Sequence, residues 1–170
     1  PDIDRVKRFW TKYLCNVGDT SQSFITRAKM FKKILVPVDG SEQSFKATEF
    51  AADLANPYDA TIHLLHVFKL SVIPVGLGDY VMTDRVELQA LGNKIITIAD
   101  EKARKKDAKQ IETAVVEGDP SERIINYAKD HDVDIIVIGS RGLGTFKGLL
   151  LGSVSNKVSH RADRTCVIVR

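Results

Sequence analysis

The sequence has few cysteines and lacks any long apolar run. Cys15 and Cys166 lie 151 positions apart in a chain of 170 residues. Such distant cysteines argue against a disulfide framework and favour free thiols in a reducing, cytoplasmic compartment. Apolar runs such as 135–138 are far shorter than the roughly 18 residues of a membrane span, and no secretory signal pattern opens the chain. With 44% hydrophobic and 28% charged residues, the composition is that of an ordinary globular domain.

Most of the chain also lacks an excess of either charge. Residues 1–29 carry six cationic and three anionic side chains, and residues 30–170 carry 19 of each sign, so the net charge of +3 lies in the first segment. A neutral body gives no electrostatic reason to expect nucleic acid as a partner. The basic segment is predicted to be an extension, with apolar side chains at helical spacing between Ile3 and Tyr13. It could bind a membrane surface, the domain itself or a protein partner, or be the tail of a larger chain.

Hydrophobic patterning predicts five strands that alternate with four helices. Nearly continuous short apolar runs are typical of parallel strands that are buried on both faces. The predicted strands are 34–38, 61–67, 111–116, 133–138 and 165–169. The first predicted helix follows the turn at 39–42, and the second covers 82–106. The third begins after Asp119, and the fourth covers about 152–161. Residues 68–80 are predicted to be a loop. The order indicates an α/β fold with an open parallel sheet and helices on both faces.

Apolar spacing also predicts the buried faces of two helices. Side chains three and four positions apart lie one above the other on a helix, so each set should face the sheet. The first set is Ala47, Phe50, Ala51 and Leu54, and the second is Leu88, Leu91, Ile95 and Ile98.

The richest chemical signal follows the fourth predicted strand. In an open parallel sheet, ligands bind beyond the carboxyl ends of the strands, where the strand order reverses. Gly139, Gly142 and Gly144 can bring backbone N–H groups close to an anion there. Gly152 opens a helix whose N-terminus carries partial positive charge, and Arg141 adds a cation that can hold phosphate. The glycines could instead make only a tight turn and a close helix contact, but as a set they favour phosphate binding.

Several known catalytic and nucleotide-binding motifs are absent. The chain has neither the G-x-x-x-x-G-K-[ST] of a P-loop nor the G-x-G-x-x-G dinucleotide fingerprint. It also lacks the G-x-S-x-G nucleophile elbow. The four histidines show no metal-ligand spacing. The sequence therefore predicts no catalytic residue and no protein-held metal site.

The motifs that are present resemble the universal stress protein family, specifically its ATP-binding branch. The pattern Gly139-x2-Gly142-x9-Gly152-Ser153 is similar to the G-x2-G-x9-G-[ST] signature of that branch. The resemblance covers residues 30–170. Further similar segments are 33–41, 65–67 and 134–142.

The resemblance implies a Rossmann-like domain with strand order 3-2-1-4-5, usually a homodimer that pairs strand 165–169 of two copies. It implies ATP as the ligand, with or without Mg²⁺. The position of Asp39 would contact the nucleoside and the backbone at Val67 would meet the adenine, although Asp39 could serve only as a helix cap. The residues that the resemblance places at the nucleotide are Pro37, Val38, Asp39, Val67, Ile138, Gly139, Arg141, Gly142, Gly152, Ser153, Val154 and Ser155.

Three functions are open on the sequence alone. The first is a regulatory domain that senses ATP and signals through dimer or partner contacts. The second is a slow or partner-dependent ATPase, although no general base is evident beyond Asp39. The third is an interaction module that binds no nucleotide, and the glycine set argues against it.

Overall fold

The fold is described by a computed structural model that covers residues 31–70, 72–74, 80–82, 84–144 and 150–170. The predicted basic extension, residues 1–29, lies outside these described residues. Within them, no helix combines the length and the apolar character needed to cross a membrane.

A parallel sheet of five strands forms the centre of the domain. Its strands are β1 (Lys33–Pro37), β2 (Thr61–Phe68), β5 (Ile111–Glu117), β6 (Ile135–Gly139) and β7 (Thr165–Val169). Two further strands, β3 (Val72–Pro74) and β4 (Tyr80–Met82), form a separate pair. The sheet has the order β5-β2-β1-β6-β7. When only the five strands of this sheet are numbered in chain order, the order is 3-2-1-4-5, so the predicted topology is confirmed. The strand order reverses between β1 and β6, which pair directly.

Four helices cover both faces of this sheet. They are α1 (Glu42–Ala55), α2 (Arg85–Arg104), α3 (Pro120–Asp130) and α4 (Ser153–Arg161). Three of them begin at polar caps that accept backbone N–H groups of the first turn, namely Ser41, Asp84 and Asp119. Alternate residues of each strand face opposite sides, so the core has two halves. Ile34 and Ile62 pack with α1 and α2, whereas Leu35 and Leu65 pack with α3 and α4.

The predicted loop at 68–80 is wrong in part. Strand β2 extends to Phe68, and β3 and β4 form an antiparallel pair in which Ile73 lies opposite Val81. Pro74 ends β3, and Gly76 and Gly78, whose turn the sequence predicts, lie outside the described residues. A two-stranded ribbon of three residues per strand is too short for its alternation to be recognised in the sequence.

The predicted helix faces are also wrong in part, because small residues determine how closely a helix approaches the sheet. Phe50 is 43% exposed, and Leu91 and Ile98 are 52% and 45% exposed. The buried residues of α2 are instead Gly92, Ile96, Ala99 and Ala103. A Cβ at Gly92 would lie 2.7 Å from the His66 ring. The helix therefore turns Ile96 and several small residues toward the sheet and leaves Leu91 and Ile98 largely exposed.

Candidate functional site

Three chain segments meet at the carboxyl ends of β1 and β6. They are the turn after β1, the glycine loop 139–144 after β6, and the first turn of α4. Ser140 N donates to Val169 O at 2.6 Å and thus continues the pairing of β6 with β7. Gly152 N donates to Ser140 O at 2.7 Å, which fixes the start of α4 against the glycine loop. The strand-order reversal therefore has a helix N-terminus and a glycine loop beside it, the arrangement expected of a ligand site.

Asp39 joins the turn after β1 to the glycine loop. Its Oδ1 accepts a hydrogen bond from Ser41 N at 3.0 Å, and its Oδ2 accepts one from Leu143 N at 3.2 Å. The cap of α1 is Ser41, whose Oγ accepts from Ser44 N at 3.2 Å. The Ser41 hydroxyl also donates a hydrogen bond to Arg141 O at 3.4 Å. The Asp39 carboxylate therefore faces the predicted phosphate loop rather than capping α1.

The glycines of the motif have different structural roles. A Cβ at Gly142 would lie 2.1 Å from Asp39 Oδ2, so this glycine lets the carboxylate approach the loop. A Cβ at Gly139 would lie 2.8–2.9 Å from backbone atoms of Gln43 and Ser44 in the first turn of α1. Gly139 therefore permits close packing of a helix on β6. At Gly152 the nearest atom would be 3.4 Å away, which is ordinary contact.

Gly152 occupies the cap position of α4. Among the described residues, no side chain accepts the N–H groups of the first turn of this helix. The Ser155 hydroxyl is buried and donates to Gly139 O at 2.7 Å, which holds this turn on the end of β6. Ser153 is exposed, and Val154 is partly buried. Free N–H groups at a helix N-terminus attract anions.

Other predicted site residues lie at strand ends with their side chains in the core. Pro37, Val38 and Ile138 are buried, so a ligand would meet their backbone rather than their side chains. Val67 is partly buried near the end of β2. His66 Nδ1 lies 2.8 Å from Val38 O and ties the ends of β1 and β2 together. These strand ends form the floor beside the glycine loop.

Ser140 is a buried polar residue at this edge of the sheet that the sequence analysis did not single out. It is 1% exposed, and its Oγ has no hydrogen-bond partner among the described residues. Buried hydroxyls in native proteins are nearly always paired. The available signal was a hydroxyl directly after a buried strand at the predicted ligand edge.

A second polar cluster lies away from this site, toward the amino end of β2. His63 is 2% exposed, and its Nδ1 lies 3.3 Å from the Tyr127 hydroxyl and 3.4 Å from Glu112 Oε2. The rings of Tyr127 and His131 are stacked, with centroids 3.8 Å apart. Burial lowers the pKa of His63; the Glu112 charge opposes this, and the charges of His131 and Lys33 add to it. In the described part of the chain, no group of three or more side chains could hold a metal ion.

The stability of the domain should therefore fall in mild acid. In the unfolded chain, His63 takes up its proton near its usual pKa of 6.5, whereas the folded form resists protonation. The stabilisation from this histidine is present above pH 6.5 and is lost as the pH falls below it, with a slope of at most about 1.4 kcal/mol per pH unit. Urea unfolding at about pH 7.5, 6.5 and 5.5 measures the free energy of unfolding.

Two variants identify the responsible group. H63L should lose most of the slope below pH 6.5, because no buried imidazole is left to titrate. His160 is exposed near the end of α4, and H160L should keep the slope of the original protein. The same slope in all three proteins would show that His63 does not cause it.

Comparison with known proteins identifies the family. Residues 30–170 match the sequence model of the Universal stress protein family. Universal stress protein YxiE of Bacillus subtilis is 39% identical over 149 residues, covering 83% of this chain and 100% of that protein. Universal stress protein MJ0531 of Methanocaldococcus jannaschii is 31% identical over 147 residues, covering 83% of each chain. The crystal structure of a universal stress protein in complex with cAMP has 26% identity and a TM-score of 0.65, covering 82% of this chain and 97% of the other. The chain therefore belongs to the universal stress protein family.

Proposed function

We propose that this protein binds ATP at the carboxyl ends of β1 and β6 and acts as a nucleotide-dependent regulatory domain. The observation that carries the proposal is the uncapped N-terminus of α4, held against a glycine loop where the strand order reverses. Phosphate groups are the usual ligands of such a helix end.

The phosphate groups would lie between the glycine loop and α4. The N–H groups of Gly142 and of the first turn, Ser153–Ser155, supply donors, and the exposed Arg141 guanidinium supplies charge. The buried hydroxyl of Ser140, which has no partner among the described residues, supports a polar ligand in this part of the fold. The residues present thus fit a phosphorylated ligand. Mg²⁺ would be held mainly by phosphate oxygens and water, as is usual for this ion, and would neutralise phosphate charge.

The nucleoside would lie on the β2 side of the phosphates. Asp39 and the backbone at Val67 are the proposed contacts there, together with the backbone at the ends of β1 and β6, at Pro37, Val38 and Ile138. The cAMP complex of the 26% identical universal stress protein supports an adenine nucleotide as the ligand. Both Asp39 oxygens already accept backbone N–H groups, so this carboxylate is a poor general base. We therefore expect binding with little or no hydrolysis.

Mass analysis of nucleotide released from the purified, heat-denatured chain tests the proposal. The stripped protein is then mixed with ATP and Mg²⁺, and its melting temperature and phosphate release are followed. Bound nucleotide or a rise in melting temperature without phosphate release supports a regulatory binder. Sustained phosphate release supports the ATPase alternative. No bound nucleotide and no thermal shift would contradict both.

Among the described residues, β7 is an edge strand of the sheet, and this edge supports a homodimer. Val169 O accepts from Ser140 N, so the backbone groups of Val167 and Val169 face β6. Those of Cys166 and Ile168 then face the open edge, because successive residues alternate. An apolar strand with such an edge pairs readily with a second copy. An antiparallel pair centred on Val167 lets all five residues of β7 take part.

This register predicts a specific cross-link. Val167 would lie opposite its own copy at a Cα separation of about 4.5 Å, which a disulfide can span. In a C15S/C166S background, V167C should therefore form a covalent dimer on mild oxidation, seen by non-reducing electrophoresis. T165C is the matched control, because its two copies would lie about 13 Å apart. Equal cross-linking of T165C, or none of V167C, would contradict the register.

We also assign the basic segment, residues 1–29, to a separate extension. The family match begins at residue 30, and the excess positive charge lies before it. The proposed ATP site uses no residue of this segment. The extension is therefore proposed to serve a partner or membrane contact particular to this member of the family.

A further inference from the structure

Ser140 combines complete burial with an unused hydroxyl. It is 1% exposed, and both of its backbone groups are bonded, to Val169 O and to Gly152 N. Its Oγ has no partner in the part of the chain that the structure describes. A buried hydroxyl without a partner costs free energy that an alanine at the same position would not. A ligand that forms a hydrogen bond with this hydroxyl would remove that cost.

The position of Ser140 indicates where its hydroxyl lies. The Cα of Gly139 faces the first turn of α1 on one side of the sheet. Ser140 continues the β6 ladder by donating to Val169, so its side chain should project to the other side, which α4 covers. Its carbonyl accepts from Gly152 N, the cap residue of α4. The hydroxyl therefore lies under the uncapped first turn of α4.

We infer that Ser140 Oγ donates a hydrogen bond to a phosphate oxygen of the nucleotide bound at the N-terminus of α4. The inference rests on the proposed ATP binding and adds a side-chain donor to a site otherwise made of backbone N–H groups and Arg141. A hydroxyl that donates to an anionic oxygen makes a shorter and stronger bond than a neutral pair. Ligand binding thereby gives a partner to a buried hydroxyl that has none among the described residues.

The inference predicts that removal of the hydroxyl has opposite effects on stability and on affinity. In S140A the buried donor is gone, so the melting temperature without ligand should be equal to or higher than that of the original protein. The affinity for ATP should fall about 10-fold, because the hydrogen bond to a charged group is lost. A serine whose role is purely structural would lower the stability when truncated.

Ser121 provides a matched control. It is 2% exposed, like Ser140, but its hydroxyl donates to Asp119 Oδ1 at 2.5 Å. S121A should therefore lower the melting temperature and leave ATP affinity unchanged. Isothermal titration of the full chain with ATP and with adenosine, alongside thermal unfolding, gives all the required values. Adenosine has no phosphate, so its affinity should be the same for S140A as for the original protein.

Each outcome has a distinct meaning. A fall in ATP affinity with unchanged adenosine affinity and undiminished stability supports a hydroxyl contact to phosphate. Unchanged ATP affinity in S140A, while the original protein binds ATP, would overturn the role of Ser140 and leave the proposed function standing. An equal fall for ATP and adenosine would also overturn it, because distortion of the site would then be the cause. Failure of the original protein to bind ATP would overturn the proposed function itself, and the inference with it.

Discussion

Replacement of Gly142 by valine should reduce ATP affinity by more than about 100-fold while the domain stays folded. A Cβ at this position would lie 2.1 Å from Asp39 Oδ2, so the carboxylate must leave the loop. The hydrogen bond from Leu143 N to Asp39 would then be lost, and with it the position of the loop whose N–H groups are proposed to hold the phosphate. The loss of two or more charge-assisted contacts accounts for a decrease of this size. Isothermal titration with ATP measures it, and circular dichroism checks that the helices remain.

The same loop supplies a matched control for this prediction. A Cβ at Gly144 would meet no atom of the described residues within 4 Å, and neither glycine has the left-handed backbone that side chains disfavour. G144V should therefore bind ATP within about threefold of the original affinity, since surface substitutions usually cost little. Loss of binding in both variants would point to general disturbance of the loop. Retained affinity in G142V would refute the phosphate assignment.

Gly152→Val tests the other wall of the same proposed phosphate site. The nearest atom to its Cβ, Arg141 Cα, would be 3.4 Å away, so the protein can accept the side chain. The added atoms would stand at the N-terminus of α4, where the phosphate is proposed to bind. The variant should therefore lose ATP affinity strongly and keep its melting temperature without ligand.

The alternation of strands and helices could be predicted from the sequence because its signals are local, whereas the strand order was implied by the resemblance to the universal stress protein family. Five apolar runs separated by helix caps such as Asp119-Pro120 specify the alternation of strands and helices. The alternation then implies a ligand edge at the carboxyl ends of the strands. The structure agrees with the predicted fold at this level, down to the strand order.

The separate roles of the glycines could not be predicted, because they depend on contacts distant in sequence. Gly139 faces Gln43 and Ser44, and Gly142 faces Asp39. The first contact forms when α1 packs beside β6, and the second forms because β1 pairs with β6, which places the residues after the two strands next to each other. The same reason hides the missing partner of Ser140, since burial without a hydrogen bond is a property of the assembled fold. A motif pattern thus locates the loop, and the packing of α1 and the turn after β1 against it decides the different roles of Gly139 and Gly142.

Replacement of Gly139 by alanine should therefore affect stability rather than ATP affinity. The added Cβ would lie 2.8 Å from Gln43 C and 2.9 Å from Ser44 N, which are backbone atoms that cannot rotate away as a flexible side chain could. Relief of this overlap requires α1 to move from β6. Overpacking of this kind costs about 2 kcal/mol, which lowers the melting temperature of a domain of this size by about 5–10 °C.

The rise in melting temperature on addition of ATP distinguishes the effect of G139A from that of G142V. Alanine keeps the backbone N–H of residue 139 and adds its Cβ on the α1 side of the sheet, away from α4. Saturating ATP should therefore raise the melting temperature of G139A by nearly as much as that of the original protein, whereas G142V should show no rise. G144A, whose Cβ meets nothing, should match the original protein in both measurements. An unchanged melting temperature in G139A together with a lost ATP response would instead mean that residue 139 borders the phosphate directly. Gly139 would then belong to the ligand surface and not to the contact that positions α1.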